Sequence, residues 1–167
     1  MPSEYFATWA GYNAWANRRI YQACETLGEA DYLRPRVGAF GSLHALLNHI
    51  LAADRIWIAR IEGRSTPGLR FDQVLYADLV ALKVARLAED ERIRQVIAGL
   101  PEARLGEPLA WRDATGERCV APLRLVLGHL FNQQTHHRGE AHALLSQAGV
   151  SPPILDLAAF LRESAAA

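Results

Sequence analysis

The sequence predicts an all-α fold: a bundle of four long helices with a long crossover between the second and third, a short hairpin before the fourth and a short C-terminal helix. Three observations carry this. Apolar residues recur at helical spacing in four long stretches. Segments rich in Gly, Pro and Asp separate those stretches, and neither an internal repeat nor a low-complexity tract interrupts them. Finally, 167 residues that are 50% hydrophobic and 22% charged suit one domain, residues 1–167, burying roughly two thirds of its unfolded surface.

The first helix runs from about Glu4 to Thr26, with Phe6, Trp9, Tyr12, Asn13, Ala16 and Ile20 along one side and Gly28 at its end. Ser42 is placed to cap the second, which carries Leu43, Leu46, Leu47, Ile50, Trp57 and Ile61 before Gly63 stops it. Gly63 to Asp72, with Pro67 and Gly68, forms the polar crossover. The third helix is expected from about Leu75 to Gly99, with Leu79, Leu82, Leu87, Ile93 and Ile97 as its apolar positions. Periodicity then changes, and residues 109–112 and 117–120 flank Asp113-Ala114-Thr115-Gly116, a hairpin turning through Gly. The fourth helix spans Leu123 to Gln147 and ends at Gly149, after which Ser151-Pro152-Pro153 fits the cap and first turn of a final helix through Leu161.

Charge and cysteine usage narrow the function. Eighteen basic residues balance eighteen acidic ones, so nothing draws the chain to a polyanion, and a nucleic-acid partner is not expected. No stretch reaches the ~18 apolar residues that would span a bilayer, and the start Met1-Pro2-Ser3-Glu4-Tyr5 has no leader pattern. Cys24 and Cys119 form no C-x-x-C pair and read as reduced packing residues, so a cytoplasmic protein without a membrane partner is expected.

The six histidines sort by angle, because each residue of an α-helix turns about 100°. On the fourth helix His137 lies within roughly 30° of the centre of the apolar face, and Gln133 about 65° from it. His129 and His136 lie further round, and His142 points away. On the second helix His49 sits at the edge of the apolar stripe, while His44, about 140° away, cannot share an ion with it. A metal held in a bundle takes ligands from facing helices, and an i, i+4 pair on one helix plus a side chain from another supplies three. His137 with Gln133, facing His49, has that arrangement. The same two histidines also read as hydrogen-bonded core residues. Asp54 falls within the second helix's apolar stripe and requires a partner, for which Asn13, Asn17, Arg18 and Arg19 are candidates. It reads either as an interhelical register contact or as a group orienting a ligand.

Four segments together resemble the DinB family, the damage-inducible, YfiT-like group of helical-bundle proteins. They are Tyr12-Asn13-Ala14-Trp15-Ala16-Asn17-Arg18-Arg19; Gly41-Ser42-Leu43-His44 through Asn48-His49 to Trp57; His129 through Thr135-His136-His137-Arg138-Gly139-Glu140; and Pro152-Pro153-Ile154-Leu155-Asp156-Leu157. The resemblance implies a four-helix bundle, often dimeric, with a divalent metal ion held by three side chains, here His49, Gln133 and His137. Zn or Ni is the expected ion. The chain departs from the family pattern at Gln133, where His is usual, and at Glu140, where Gln is common. An amide oxygen is the weaker ligand, and His129, His136 and Glu140 flank it as possible substitutes. Some relatives are thiol-dependent transferases or isomerases, which implies a metal-dependent transferase or hydrolase acting on a small molecule. The alternative is a non-catalytic, stress-associated bundle that serves as a dimerisation or ligand-binding module. No general base stands out among His129, His136, Glu140 and Asp54.

Overall fold

The structure, a computed structural model, describes residues 3–113 and 115–166; Met1 and Pro2, Ala114 of the expected hairpin turn, and Ala167 lie outside them. The chain folds as α1 (Ser3–Cys24), α2 (Glu29–Leu33), α3 (Leu43–Ile61), α4 (Leu79–Ala98), a 3-10 turn (Glu102–Gly106), β1 (Pro108–Arg112), β2 (Arg118–Pro122), α5 (Leu123–Gln147) and α6 (Leu157–Ala165). It is the expected all-α bundle with one small hairpin. Helices α1 and α3 each pack against both α4 and α5. Among the described residues no helix is long and apolar enough to cross a membrane.

Local chemistry sets the boundaries. Ser42 caps α3, its side chain accepting the N–H of Ala45. Helix α4 begins four residues later than its apolar spacing suggested, because Asp78 caps it by accepting the N–H of Ala81. Leu75 and Tyr76 instead donate their backbone N–H groups to the Asn48 amide oxygen. Leu87, expected in the core, is exposed, whereas Arg86, Glu89 and Asp90 of the same helix are buried. At the C-terminus Ser151-Pro152-Pro153 is not helical. Ser151 and Pro152 each precede a proline, which disfavours the helical conformation there, and the helix waits for Asp156 at its N-cap. The short α2 and the 3-10 turn are too brief to leave a periodic signal. In the hairpin, Leu109 pairs with Ala121 and Trp111 with Cys119, and Gly116 turns the chain at φ +86°.

Two apolar clusters fill the bundle interior, and a third joins Tyr12, Trp15 and Ala16 of α1 to Ala159 of α6. At one end Phe6, Trp57, Ile58, Ile61, Ile93, Ile97, Leu127 and Phe131 pack together. At the other, Ile20, Leu43, Leu46, Leu47, Leu82, Leu144 and Leu145 do. Between them lies a buried polar layer with members from all four long helices: Asn13, Asn17, Asp54, Arg86, Asp90, Gln134 and Arg138. Asp54 pairs with Arg86 at 2.6 Å and accepts from the Gln134 amide. Its partners therefore come from α4 and α5 rather than from α1, as the sequence had suggested. Both cysteines are free, Cys24 buried and Cys119 partly so.

Candidate functional site

Helices α3 and α5 face each other at His49 and His137, whose Nε2 atoms stand 3.1 Å apart. The crossover fixes the first ring. His49 Nδ1 lies 2.7 Å from the carbonyl oxygen of Phe71, and because a carbonyl can only accept, Nδ1 carries the proton and Nε2 the lone pair. Phe40 stacks on His49 with ring centroids 4.1 Å apart and meets His137 edge-on at 5.4 Å. Burial holds both imidazoles below their ordinary pKa: His49 is lowered, and His137 is pushed down to about 4, with the neighbouring His49 and His136 adding to the effect. Both rings are neutral at pH 7 and so able to act as ligands.

Their fit to a metal turns on where the second proton sits. If His137 Nε2 donates to His49, then His137 Nδ1 is a buried acceptor, and it has no hydrogen-bond partner among the described residues. Its neighbour is the Glu140 carboxylate, with Oε2 3.8 Å away, and an ionised carboxylate can only accept. Placing the proton on Nδ1 turns it towards that charge, although 3.8 Å is beyond hydrogen-bond distance, and leaves two lone pairs facing each other at 3.1 Å. A cation between them removes the conflict. Two imidazole nitrogens about 2.0–2.1 Å from one tetrahedral Zn²⁺ lie ~3.3 Å apart, close to the separation seen. Histidines that donate their second N–H to a carbonyl or carboxylate are the usual metal-binding arrangement. The pair fits two corners of a coordination shell. Beyond it the donor set is thin, since no group of three or more His, Cys, Asp or Glu suited to a metal exists among the described residues.

Gln133, one turn before His137 on α5, is half-buried and offers only a neutral amide oxygen. Of the possible substitutes, His129 lies two turns from His137 and packs against Trp57, with ring centroids 4.7 Å apart. His136 is exposed and rests on the His137 ring at 5.0 Å. Glu140 lies on the Nδ1 side of His137, and its other oxygen accepts the Ala39 N–H at 2.6 Å, tying down the loop that carries Phe40. His44 forms a separate group with the Tyr32 hydroxyl and Asn48, and His142 is exposed. Asp54 contacts Arg86 and Gln134 rather than either histidine, so the register reading of it holds and the ligand-orienting reading does not. Sequence reasoning missed Phe40 and Phe71. Neither lies on a periodic element, and no local signal marks them.

The chain has relatives along nearly its whole length. The family model described as DinB family matches residues 1–165. The protein named Protein DinB of Bacillus subtilis (strain 168) is 25% identical over 155 residues, covering 90% of each chain. The crystal structure of a DinB-like protein from Bacillus subtilis superposes with a TM-score of 0.64 at 18% identity, over 89% of this chain and 97% of that one. That likeness shows the shared fold, and with the family match over nearly the whole length, the chain belongs to the DinB family.

Proposed function

We propose that this chain binds a divalent metal ion, Zn²⁺ or Ni²⁺, through His49 and His137 with Gln133 as a weak third ligand, and that the site serves a thiol-dependent transferase or hydrolase reaction on a small molecule. One observation carries the reading: a buried and a half-buried imidazole, both neutral, converge at 3.1 Å, one anchored on the Phe71 carbonyl and the other beside the Glu140 carboxylate. When bound, such an ion lowers the pKa of a coordinated water or thiol and so generates a nucleophile. The protein's part is positional. The Phe71 carbonyl fixes the tautomer of His49, Glu140 favours the proton on His137 Nδ1, and Phe40 shields the pair from bulk water. A homodimer without nucleic-acid or membrane partners completes the proposal.

Metal content and Zn²⁺ or Ni²⁺ titration of the purified protein, beside the His49→Ala/His137→Ala double variant, test the site. The wild type should take up close to one ion per chain and the double variant none; equal content in both removes the proposal. Gln133→His should tighten binding by about tenfold or more, since imidazole is the stronger ligand. Unchanged affinity would place Gln133 outside the coordination shell.

The second reading, a non-catalytic binding or dimerisation module, draws on the absence of a third strong donor among the described residues. Metal-loaded protein separates the two readings. Transfer of a small thiol to an electrophile, abolished by chelation and by His137→Ala, belongs to the enzyme, and inactivity across such acceptors and simple esters belongs to the module.

A further inference from the structure

The connection between α2 and α3 passes over the histidine pair. Residues 37–41 form no helix or strand, and Val37, Gly38 and Ala39 are exposed. Phe40 turns inward: half-buried, it stacks on His49 at 4.1 Å and meets His137 edge-on at 5.4 Å. Its neck is closed by the Arg36 N–H, which donates to the Gly41 carbonyl at 2.6 Å. Two side chains of α5 hold the span down. Glu140 Oε1 accepts the Ala39 N–H at 2.6 Å, and Gln147 Nε2 donates to the Val37 carbonyl at 3.1 Å. A segment with so few apolar contacts and hydrogen bonds opens at low cost, and each of those bonds weighs in the balance.

Gly38 shows how closely the loop is fitted to Glu140. Its backbone is not in the left-handed region, yet a Cβ there would stand 2.9 Å from Glu140 Oε1 and 3.3 Å from Leu144 Cδ2. The missing side chain is what lets the backbone reach the carboxylate. The other oxygen, Oε2, lies 3.8 Å from His137 Nδ1, a buried nitrogen without a hydrogen-bond partner among the described residues. One carboxylate therefore stands between the loop and the histidine pair.

Its hold on the loop depends on where His137 carries its proton. With the proton on Nε2, Nδ1 turns a lone pair towards the carboxylate and repels it. With the proton on Nδ1, the N–H draws the carboxylate in across the gap of about 1 Å to hydrogen-bond distance, and Oε1 stays where Ala39 needs it. An ion on the Nε2 side selects the second state. We propose, on the metal reading above, that residues 37–41 are a lid over His49 and His137, and that Glu140 makes lid closure and metal binding favour each other. Such coupling is reciprocal. Glu140 is then a positioning residue, acting through His137 and Ala39.

Amide hydrogen exchange of the full chain with and without Zn²⁺ reads the lid, and Zn²⁺ titration reads the affinity. Exchange at Ala39 should slow at least about fivefold when Zn²⁺ is added, the lower end of ordinary coupling between sites. In Glu140→Gln the amide oxygen still takes the Ala39 N–H, but its NH₂ group is left to face Nδ1 and favours the lone pair there. Ala39 should then keep its metal-free protection, Zn²⁺ should no longer add to it, and Zn²⁺ affinity should fall at least about fivefold. Gly38→Ala pushes the carboxylate aside from the loop and should both speed Ala39 exchange and weaken Zn²⁺ binding, although residue 38 touches neither histidine. Zn²⁺ bound with Ala39 exchange unchanged, or Glu140→Gln matching the wild type in affinity and in slowing, would overturn the coupling and leave the metal site standing. No Zn²⁺ uptake by the wild type would remove the metal reading and the coupling with it.

Discussion

At Arg86 a buried cation is paired with two carboxylates inside the bundle. Its guanidinium, 2% exposed, stands 2.6 Å from Asp54 and 3.0 Å from Asp90, and Asn17 donates to Asp90 at 2.9 Å. With Arg138 one turn beyond Gln134 on α5, the layer holds two cations against two carboxylates. Removing one partner strands the other, so Arg86→Met should destabilise the protein by roughly 3–5 kcal/mol. Asp54→Asn keeps an acceptor for Gln134 and leaves Arg86 its ion pair with Asp90, and should cost less. Urea denaturation decides it: a loss under about 1 kcal/mol for Arg86→Met would mean that the layer is hydrated rather than mutually neutralised. Asp54 was legible in the sequence as an anomaly because helix angle alone places it among apolar residues. Its partner was not. Arg86, Glu89 and Asp90 carry no apolar signal of their own, and it is the packing of α1 and α3 on α4 that makes them interior.

Among the elements, the crossover does most to connect fold with site, and Asn48 holds it. That side chain, 0% exposed, accepts the N–H groups of Leu75 and Tyr76 at 2.8 and 3.0 Å and donates to the Tyr76 carbonyl at 3.2 Å. The same segment delivers the Phe71 carbonyl to His49. Asn48→Ala leaves two backbone donors without their acceptor, at about 1–3 kcal/mol each where no water replaces it. Amide exchange at Leu75 and Tyr76 should quicken severalfold, and Zn²⁺ affinity should fall as His49 loses its anchor; unchanged exchange at both positions would refute the clamp. Helices α1, α3 and α5 were readable to within about two residues because apolar periodicity runs along them, and at α3 the Ser42 cap agrees with it. Helix α4 was not, since a capping aspartate and an asparagine on another helix decide where its chain starts to turn. The site divides in the same way: His49 and His137 follow from angular position, whereas Phe40 and Phe71 come from loops whose path no local pattern records.

For the molecule as a whole, histidines that lose water on folding set the response to acid. His44 and His49, buried, and His137, half-buried, are held below the ordinary value of 6.5 chiefly by loss of water, His137 as far as about 4. A histidine whose folded pKa is depressed contributes stability that is present above 6.5 and lost as pH falls towards the folded value, because the unfolded chain takes up the proton first. Asp54 acts in the opposite sense. Burial raises its carboxyl from 3.8 to about 6 against the pull of Arg86, so between those values the folded state is the one that binds a proton. Three sites against one decide the sign. The metal-free protein should be less stable at pH 5.5 than at pH 7.5, with a slope of up to ~1.4 kcal/mol per pH unit for each histidine fully engaged. Denaturant midpoints measured at both pH values in the presence of a chelator test this. His44→Gln, which removes a histidine remote from the metal pair, should flatten the slope without abolishing it. A midpoint that stayed level or rose on acidification would overturn this balance, with proton uptake by folded Asp54 matching or exceeding the penalty at the histidines.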